Sequence, residues 1–207
     1  MVVLQGSLLD LGDPPGPRPL DALERIVIGH GAWIDLRRGW LAGSAELFEQ
    51  LLPAVPWQAE RRPMYERMVD VPRLVKFYDI GAPLPAKALV EIRRALGRHY
   101  GCEPGGPVCT TSLSLYRDGR DSVAWHGARV GRGASKDTVV AIVSLGAPRR
   151  FLLRPRGGGR ALRFDLGCGD LFVMGGSCQR AWEHALPKTL RAVGPRISVQ
   201  YRQRGVR

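Results

Sequence analysis

Thr138-Val139-Val140-Ala141-Ile142-Val143-Ser144-Leu145, followed by Arg150-Phe151-Leu152-Leu153, Leu162-Arg163-Phe164 and Asp170-Leu171-Phe172-Val173-Met174, decides the fold. These runs are short, rich in β-branched and aromatic residues, and separated by glycine-rich turns, which suits pleated, half-buried strands. Outward from them, Ser112-Leu113-Ser114-Leu115-Tyr116 and Arg196-Ile197-Ser198-Val199-Gln200-Tyr201 repeat the pattern on either side. Regular short strands with no helical stretch between them point to a sandwich or barrel. Gly157-Gly158-Gly159 reads as a hairpin turn. It is not a phosphate loop, because no helix and no Gly-Lys-Ser/Thr follow it.

The first half reads differently. Pro14-Pro15-Gly16-Pro17-Arg18-Pro19 marks residues 1–20 as an irregular arm. Helical spacing predicts a helix over residues 44–52, with Ser44 as cap and acidic residues near its start, and a second from Ala86 to about Tyr100, where Leu89, Ile92, Leu96 and Tyr100 share one face. Between them, residues 61–78 interleave basic and aromatic side chains. That pattern fits a surface gripping phosphates and presenting rings to bases, and equally a core strand with a charged outer face.

With 207 residues, 44% of them hydrophobic, the chain is expected to form a single domain with a substantial core. No apolar run reaches the roughly 18 to 20 residues needed to cross a bilayer, and Met1-Val2-Val3-Leu4-Gln5-Gly6 lacks the basic start of a signal peptide, so a soluble, cytoplasmic monomer is expected. The formal charge is +12, and only Lys76, Lys87, Lys136 and Lys188 among the 31 basic residues are lysine, the other 27 being arginine. Arginine's planar fork suits phosphate and base edges, which favours a nucleic-acid partner; GC-rich coding explains the same bias without one. Cys102, Cys109, Cys168 and Cys178 form no CxxC pair and read as reduced thiols.

The histidines are His30, His99, His126 and His184. A two-histidine, one-carboxylate set holds one face of an octahedral Fe(II) and leaves three positions open. Residues 126 and 128 of an extended segment project to one side, while His184 must arrive from a distant strand. On spacing alone, two histidines in a β domain are more often structural groups.

Further residues carry a resemblance. Tyr116-Arg117-Asp118-Gly119 leading to Trp125-His126, Val143-Ser144-Leu145-Gly146-Ala147-Pro148-Arg149-Arg150-Phe151, Gly169-Asp170-Leu171-Phe172-Val173-Met174-Gly175-Gly176, Trp182-Glu183-His184-Ala185-Leu186-Pro187-Lys188-Thr189 and Pro195-Arg196-Ile197-Ser198-Val199-Gln200-Tyr201-Arg202 occur in order. Across about residues 55–206 the chain resembles AlkB-type oxidative demethylases of the 2-oxoglutarate and Fe(II)-dependent dioxygenase superfamily, in particular the bacterial alkylation-repair branch. The resemblance implies an α+β, mainly β fold, a double-stranded β-helix or jelly roll over residues 108–204. N-terminal helices would support it, and residues 55–82 would form a nucleotide-recognition lid.

It implies further that His126 and His184 ligate iron, that Arg196 holds the distal carboxylate of 2-oxoglutarate, and that Arg202 lies near its metal-proximal carboxylate. Tyr116 would help bind the cosubstrate, as would Ser114, which stands where many relatives have asparagine. Arg61 and Arg73 would contact phosphate or the lid. Met64 lies in the same stretch, and one ring among Tyr65, Phe77 and Tyr78 would stack on a methylated base taken out of the helix. The implied reaction uses O2 and 2-oxoglutarate to release an N-methyl group as formaldehyde, with N1-methyladenine and N3-methylcytosine in DNA as first candidates and RNA or other small alkyl adducts as alternatives.

Ala128 is the departure from this pattern. The family has aspartate there, and a methyl group donates no oxygen ligand. Asp118 and Asp121 do not replace it unless a carboxylate reaches the same coordination position. Val130 also stands where several relatives carry an acidic group near the base. Three readings are open: a demethylase impaired by the loss of its ligand, a non-catalytic nucleic-acid-binding relative, and a two-histidine enzyme resembling 2-oxoglutarate-dependent halogenases.

Overall fold

The computed structural model describes residues 14–64, 67–128 and 131–206, and for 61–70 the backbone alone. The N-terminal part forms β1 (Gly16–Pro17), β2 (Glu24–Gly29), β3 (Ala32–Arg37), β4 (Leu41–Ala42), α1 (Ser44–Ala54), β5 (Gln58–Met64), β6 (Arg67–Tyr78) and α2 (Lys87–His99). There follow β7 (Val108–Tyr116), β8 (Val123–His126), β9 (Val140–Gly146), β10 (Arg149–Pro155), β11 (Leu162–Leu166), β12 (Leu171–Gly176), the short α3 (Cys178–Ala181), β13 (Trp182–Leu186) and β14 (Arg196–Gln203).

The strands assemble into an eight-stranded sheet, β2-β3-β12-β9-β14-β7-β6-β5, a four-stranded sheet, β11-β10-β13-β8, and the small pair β1-β4. All pairings between named strands are antiparallel. The mainly β, α+β expectation holds, but the jelly roll does not. Among the described residues no sheet closes or curls: the large one ends at β2 and β5, the small one at β8 and β11. The cause lies at the edges, where β2–β3, a stretch with no predicted element, and the β5–β6 hairpin, expected as the lid, extend the large sheet as open flanks.

Two cores lie on opposite faces of the large sheet. On one, Leu113, Leu115, Ala141, Val143, Leu145, Ile197, Val199 and Tyr201 pack with Leu47, Phe48 and Leu51 of α1 and Leu89, Ile92 and Leu96 of α2. The helices form because these apolar residues recur at helical spacing and need a face to cover. On the other, Val140, Ile142, Phe172 and Met174 meet Phe151 and Leu153 of β10 and Trp182 of β13, so the small sheet is stacked on the large one. Strand alternation assigns every second residue of β7, β9 and β14 to this inter-sheet layer.

One local expectation is corrected. Ser44 is not the cap of α1: Gly43 is, in the left-handed region at φ 58°, with no side-chain cap bond. The Ser44 hydroxyl instead accepts from Cys168 Sγ at 3.3 Å. The hairpin at Gly157-Gly158-Gly159 joins β10 to β11 as read, with φ of 89°, 108° and 115°. The four cysteines are all free.

Candidate active site

Where the inter-sheet layer leaves its apolar part it becomes polar. Ser112, Ser114 and Tyr116 of β7, Ser144 of β9, and Arg196, Ser198, Gln200 and Arg202 of β14 all fall on this face, since Tyr116 pairs with Arg196, Ser114 with Ser198, and Ser144 with Ser198. Arg196 is 1% exposed and donates from Nε to Ser144 Oγ at 3.0 Å; its guanidinium lies 5.4 Å from the Tyr116 ring centroid. Arg202 donates from Nη2 to Gln200 Oε1 at 2.7 Å and from Nη1 to Ser112 Oγ. Gln200 Nε2 donates in turn to Ser198 Oγ at 3.3 Å and Ser114 Oγ at 3.5 Å. Burial pushes the pKa of Arg196 down to about 10, and burial together with nearby Arg73 does the same to Arg202. Both remain cations at neutral pH.

Arg196 is buried and Arg202 half-buried, and arginines so placed whose bonds all go to neutral oxygens are costly unless an anion joins them. Two cations on one strand face, six residues apart, with serines and a tyrosine between, could hold the two ends of a dicarboxylate.

The small sheet brings the histidines together. His126 at the end of β8 and His184 on β13 are direct register partners, their ring centroids 4.0 Å apart. A register shift between His184 and Leu186 lies beside them, a device that re-aims side chains. His184 stacks on Phe151 at 5.4 Å, and burial first, then His126, Arg202 and Arg73, hold its pKa well below the usual value. His126 Nδ1 lies 2.9 Å from Ala124 O, a contact that orients the ring. The small sheet that carries the histidines is stacked on the face of the large sheet that carries the arginines, so both sets border one inter-sheet space.

The third ligand position is a different matter. Ala128 is buried, its N–H donates to Gln179 O at 2.8 Å and its carbonyl accepts from Arg156 at 3.0 Å. Its methyl packs against Gly133, where an added Cβ would come within 2.9 Å. Asp118 is engaged by Arg120, which holds its pKa down to about 2, and Asp121 is bonded by both the side chain and the N–H of Arg117. Among the described residues no group of three His, Cys, Asp or Glu side chains could hold a metal ion. The residues present fit a dicarboxylate and supply two imidazole nitrogens, but they do not complete a three-ligand iron site.

The profile of the 2OG-Fe(II) oxygenase superfamily matches residues 42–204. The chain belongs to that superfamily. By family it is a 2-oxoglutarate and Fe(II)-dependent dioxygenase. It is similar to the alpha-ketoglutarate-dependent dioxygenase alkB homolog 3 of Bos taurus, 27% identical over 176 residues, covering 75% of this chain and 60% of that protein. The rat alkB homolog 3 is 32% identical over 172 residues, covering 75% and 58%. The DNA oxidative demethylase ALKBH2 of Arabidopsis thaliana is 29% identical over 134 residues, covering 54% and 42%. The chain thus spans about 60% of the length of the first two relatives. Two solved structures share the fold: OsALKBH1, with a TM-score of 0.58, 14% identity and coverage of 87% of this chain and 100% of that one, and a prolyl hydroxylase from Trichoplax adhaerens, with 0.60, 11%, 82% and 83%.

The sequence-predicted residues of the β5–β6 hairpin separate. Phe77 opposes Ser112 on the site face and is 59% exposed; Tyr78 turns to the helix face, packs partly on that core and lies 5.9 Å from Lys76 Nζ. Arg73, half-buried, falls by alternation on the strand face of Ser114 and Tyr116. Tyr65, and the side chains of Arg61 and Met64, fall outside the described residues.

Arg149 went unnoticed as a site residue. Buried, it donates to the carbonyls of Asp118, Asp121 and Pro187 at 2.8–2.9 Å and lies 5.9 Å from the Tyr116 ring, tying the loop before His126 to the segment after His184. No sequence signal marks it, since its partners are backbone carbonyls far along the chain. Ser112, Ser144 and Gln200 were legible in principle, as polar residues alternating with apolar ones on otherwise buried strands.

Proposed function

We propose that the chain is a nucleobase demethylase scaffold, built to remove N-methyl groups from bases such as N1-methyladenine and N3-methylcytosine in DNA, with RNA as the alternative, and impaired by Ala128. The observation that carries this reading is the convergence of a register-paired His126 and His184 with the strand face of buried Arg196 and half-buried Arg202. In it, Arg196 and Arg202 anchor the two carboxylates of 2-oxoglutarate, Ser114 and Tyr116 line the space between, and His126 and His184 present imidazole nitrogens. When bound, the metal and cosubstrate would supply the oxidising chemistry. The protein's own part is to orient and to keep water out.

Phe77 is the aromatic this reading assigns to the base, because it stands exposed on the face that carries the site, and residues 55–82 act as the lid. The +12 charge supports a nucleic-acid partner. No helix among the described residues is long and apolar enough to cross a membrane. The names of the curated relatives support the substrate class. Restoring the carboxylate with Ala128→Asp tests the reading: formaldehyde release from a methylated oligonucleotide is expected to rise.

A second reading, a non-catalytic nucleic-acid-binding relative, is favoured by the buried Ala128 and the lack of a third ligand among the described residues. It requires oligonucleotide affinity that survives without metal or 2-oxoglutarate. No measurable binding at moderate salt would reject it.

A further inference from the structure

Arg73 lies on β6 one residue before Leu74, which opposes Leu115, while the next residue, Val75, opposes Ser114. Alternation therefore turns Arg73 to the face that carries Ser114 and Tyr116. Its strand is fixed there by Pro72, whose carbonyl accepts from Ser122 N–H at 2.8 Å at the entry to β8 and His126. Arg73 Nε is buried and has no hydrogen-bond partner among the described residues. Arg196 and Arg202 donate only to neutral serine and glutamine oxygens. Three guanidinium groups thus share one face of the large sheet.

A half-buried guanidinium whose buried Nε has no partner among the described residues, beside two other cations, is an unfavourable arrangement in the ligand-free protein. A bound dianion removes that cost, whereas a lone divalent cation adds to it, more so with no carboxylate at position 128. We infer that Arg73 is a third cationic ligand for the cosubstrate, so that this pocket takes up a dicarboxylate before, and without, a metal ion. This rests on the cosubstrate reading of Arg196 and Arg202. Because coupling between two ligands is reciprocal, 2-oxoglutarate then strengthens metal binding by the factor by which metal strengthens 2-oxoglutarate binding.

The test is calorimetric titration of 2-oxoglutarate into the full chain in EDTA and again with Mn2+, for the parent and for Arg73→Gln, Arg73→Met and Arg196→Gln, together with ligand-free thermal unfolding. The parent binds in EDTA, both Arg73 variants bind about 10-fold or more weakly, and both melt at higher temperature than the parent without ligand. A purely structural Arg73 would give the opposite melting shift. Unchanged affinity in the Arg73 variants, a lowered ligand-free melting temperature, or parent binding that needs Mn2+ would overturn the inference. If Arg196→Gln still loses binding in those cases, the cosubstrate reading stands; if the parent binds 2-oxoglutarate under neither condition, that reading falls as well.

Discussion

Replacing Arg149 with methionine removes a cation that joins three separated pieces of backbone around the candidate site. In the native chain its guanidinium satisfies the carbonyls of Asp118, Asp121 and Pro187 at 2.9, 2.9 and 2.8 Å. Each orphaned buried carbonyl costs about 1–3 kcal/mol. Part of that is returned because methionine need not be desolvated, and burial does lower the Arg149 pKa, a sign that the charge is unfavourably placed. Three hydrogen bonds from a charged donor, less that return, give a net loss of about 3–5 kcal/mol.

Such a loss consumes much of the roughly 5–15 kcal/mol by which domains are stable, and at about 2–4 °C per kcal/mol the melting temperature drops by on the order of 10 °C. Urea titration gives the assay, with the midpoint falling at constant slope. Arg149→Lys keeps the charge but not the planar fork and should lie between. A methionine variant within about 1 kcal/mol of the parent would refute the idea that this one side chain secures the Asp118–Asp121 turn and the segment after His184.

Three further outcomes follow from other parts of the molecule. Gly175→Ala places a Cβ about where Trp33 now lies, 2.0 Å from its ring in the unrelaxed geometry, so the variant should lose more than about 1 kcal/mol in denaturant unfolding; an unchanged midpoint would mean that Trp33 is free to move. Asp121 is affected first by burial, which raises its pKa, but the Arg117 bonds outweigh this and the net shift is downward. Its stabilising contribution is therefore present above the ordinary carboxylate pKa and disappears as pH falls through the lower folded-state value, so acid unfolding monitored below about pH 4 should be less steep in Asp121→Asn; coincident curves would deny the contribution. Arg196→Met should bind 2-oxoglutarate at least about 10-fold more weakly while the ligand-free protein becomes no less stable, as read by titration and melting.

Much of this architecture is visible in the residues themselves. The strands β7, β9, β10, β12 and β14 announce themselves because their apolar residues are β-branched or aromatic and end at glycines. The two helices do so through 3.6-residue spacing. Glu24–Gly29 and Ala32–Arg37 escaped notice because charges interrupt the alternation: Arg25 and Asp35, which look like surface residues, pair with each other, and Asp35 also accepts from Tyr100 inside the fold. Those strands and the β5–β6 hairpin turn an expected jelly roll into two open sheets, a consequence of long-range pairing that no local pattern encodes. At the site, the grouping of His126, His184, Arg196 and Arg202 is implied by resemblance and by no local pattern. Their meeting depends on β8 pairing with β13 and β14 with β7. Arg73, which the resemblance gives to phosphate or lid contacts, stands on a strand whose alternation turns it to the face of Ser114 and Tyr116.

The central claim is that this chain keeps the demethylase site and lacks one metal ligand, and Ala128→Asp tests it most directly. With Fe(II), 2-oxoglutarate and O2 supplied, the variant should bind iron more tightly than the parent and release formaldehyde from an N1-methyladenine or N3-methylcytosine oligonucleotide well above the parent's level. A folded, iron-loaded variant that releases no more formaldehyde than the parent would contradict the account.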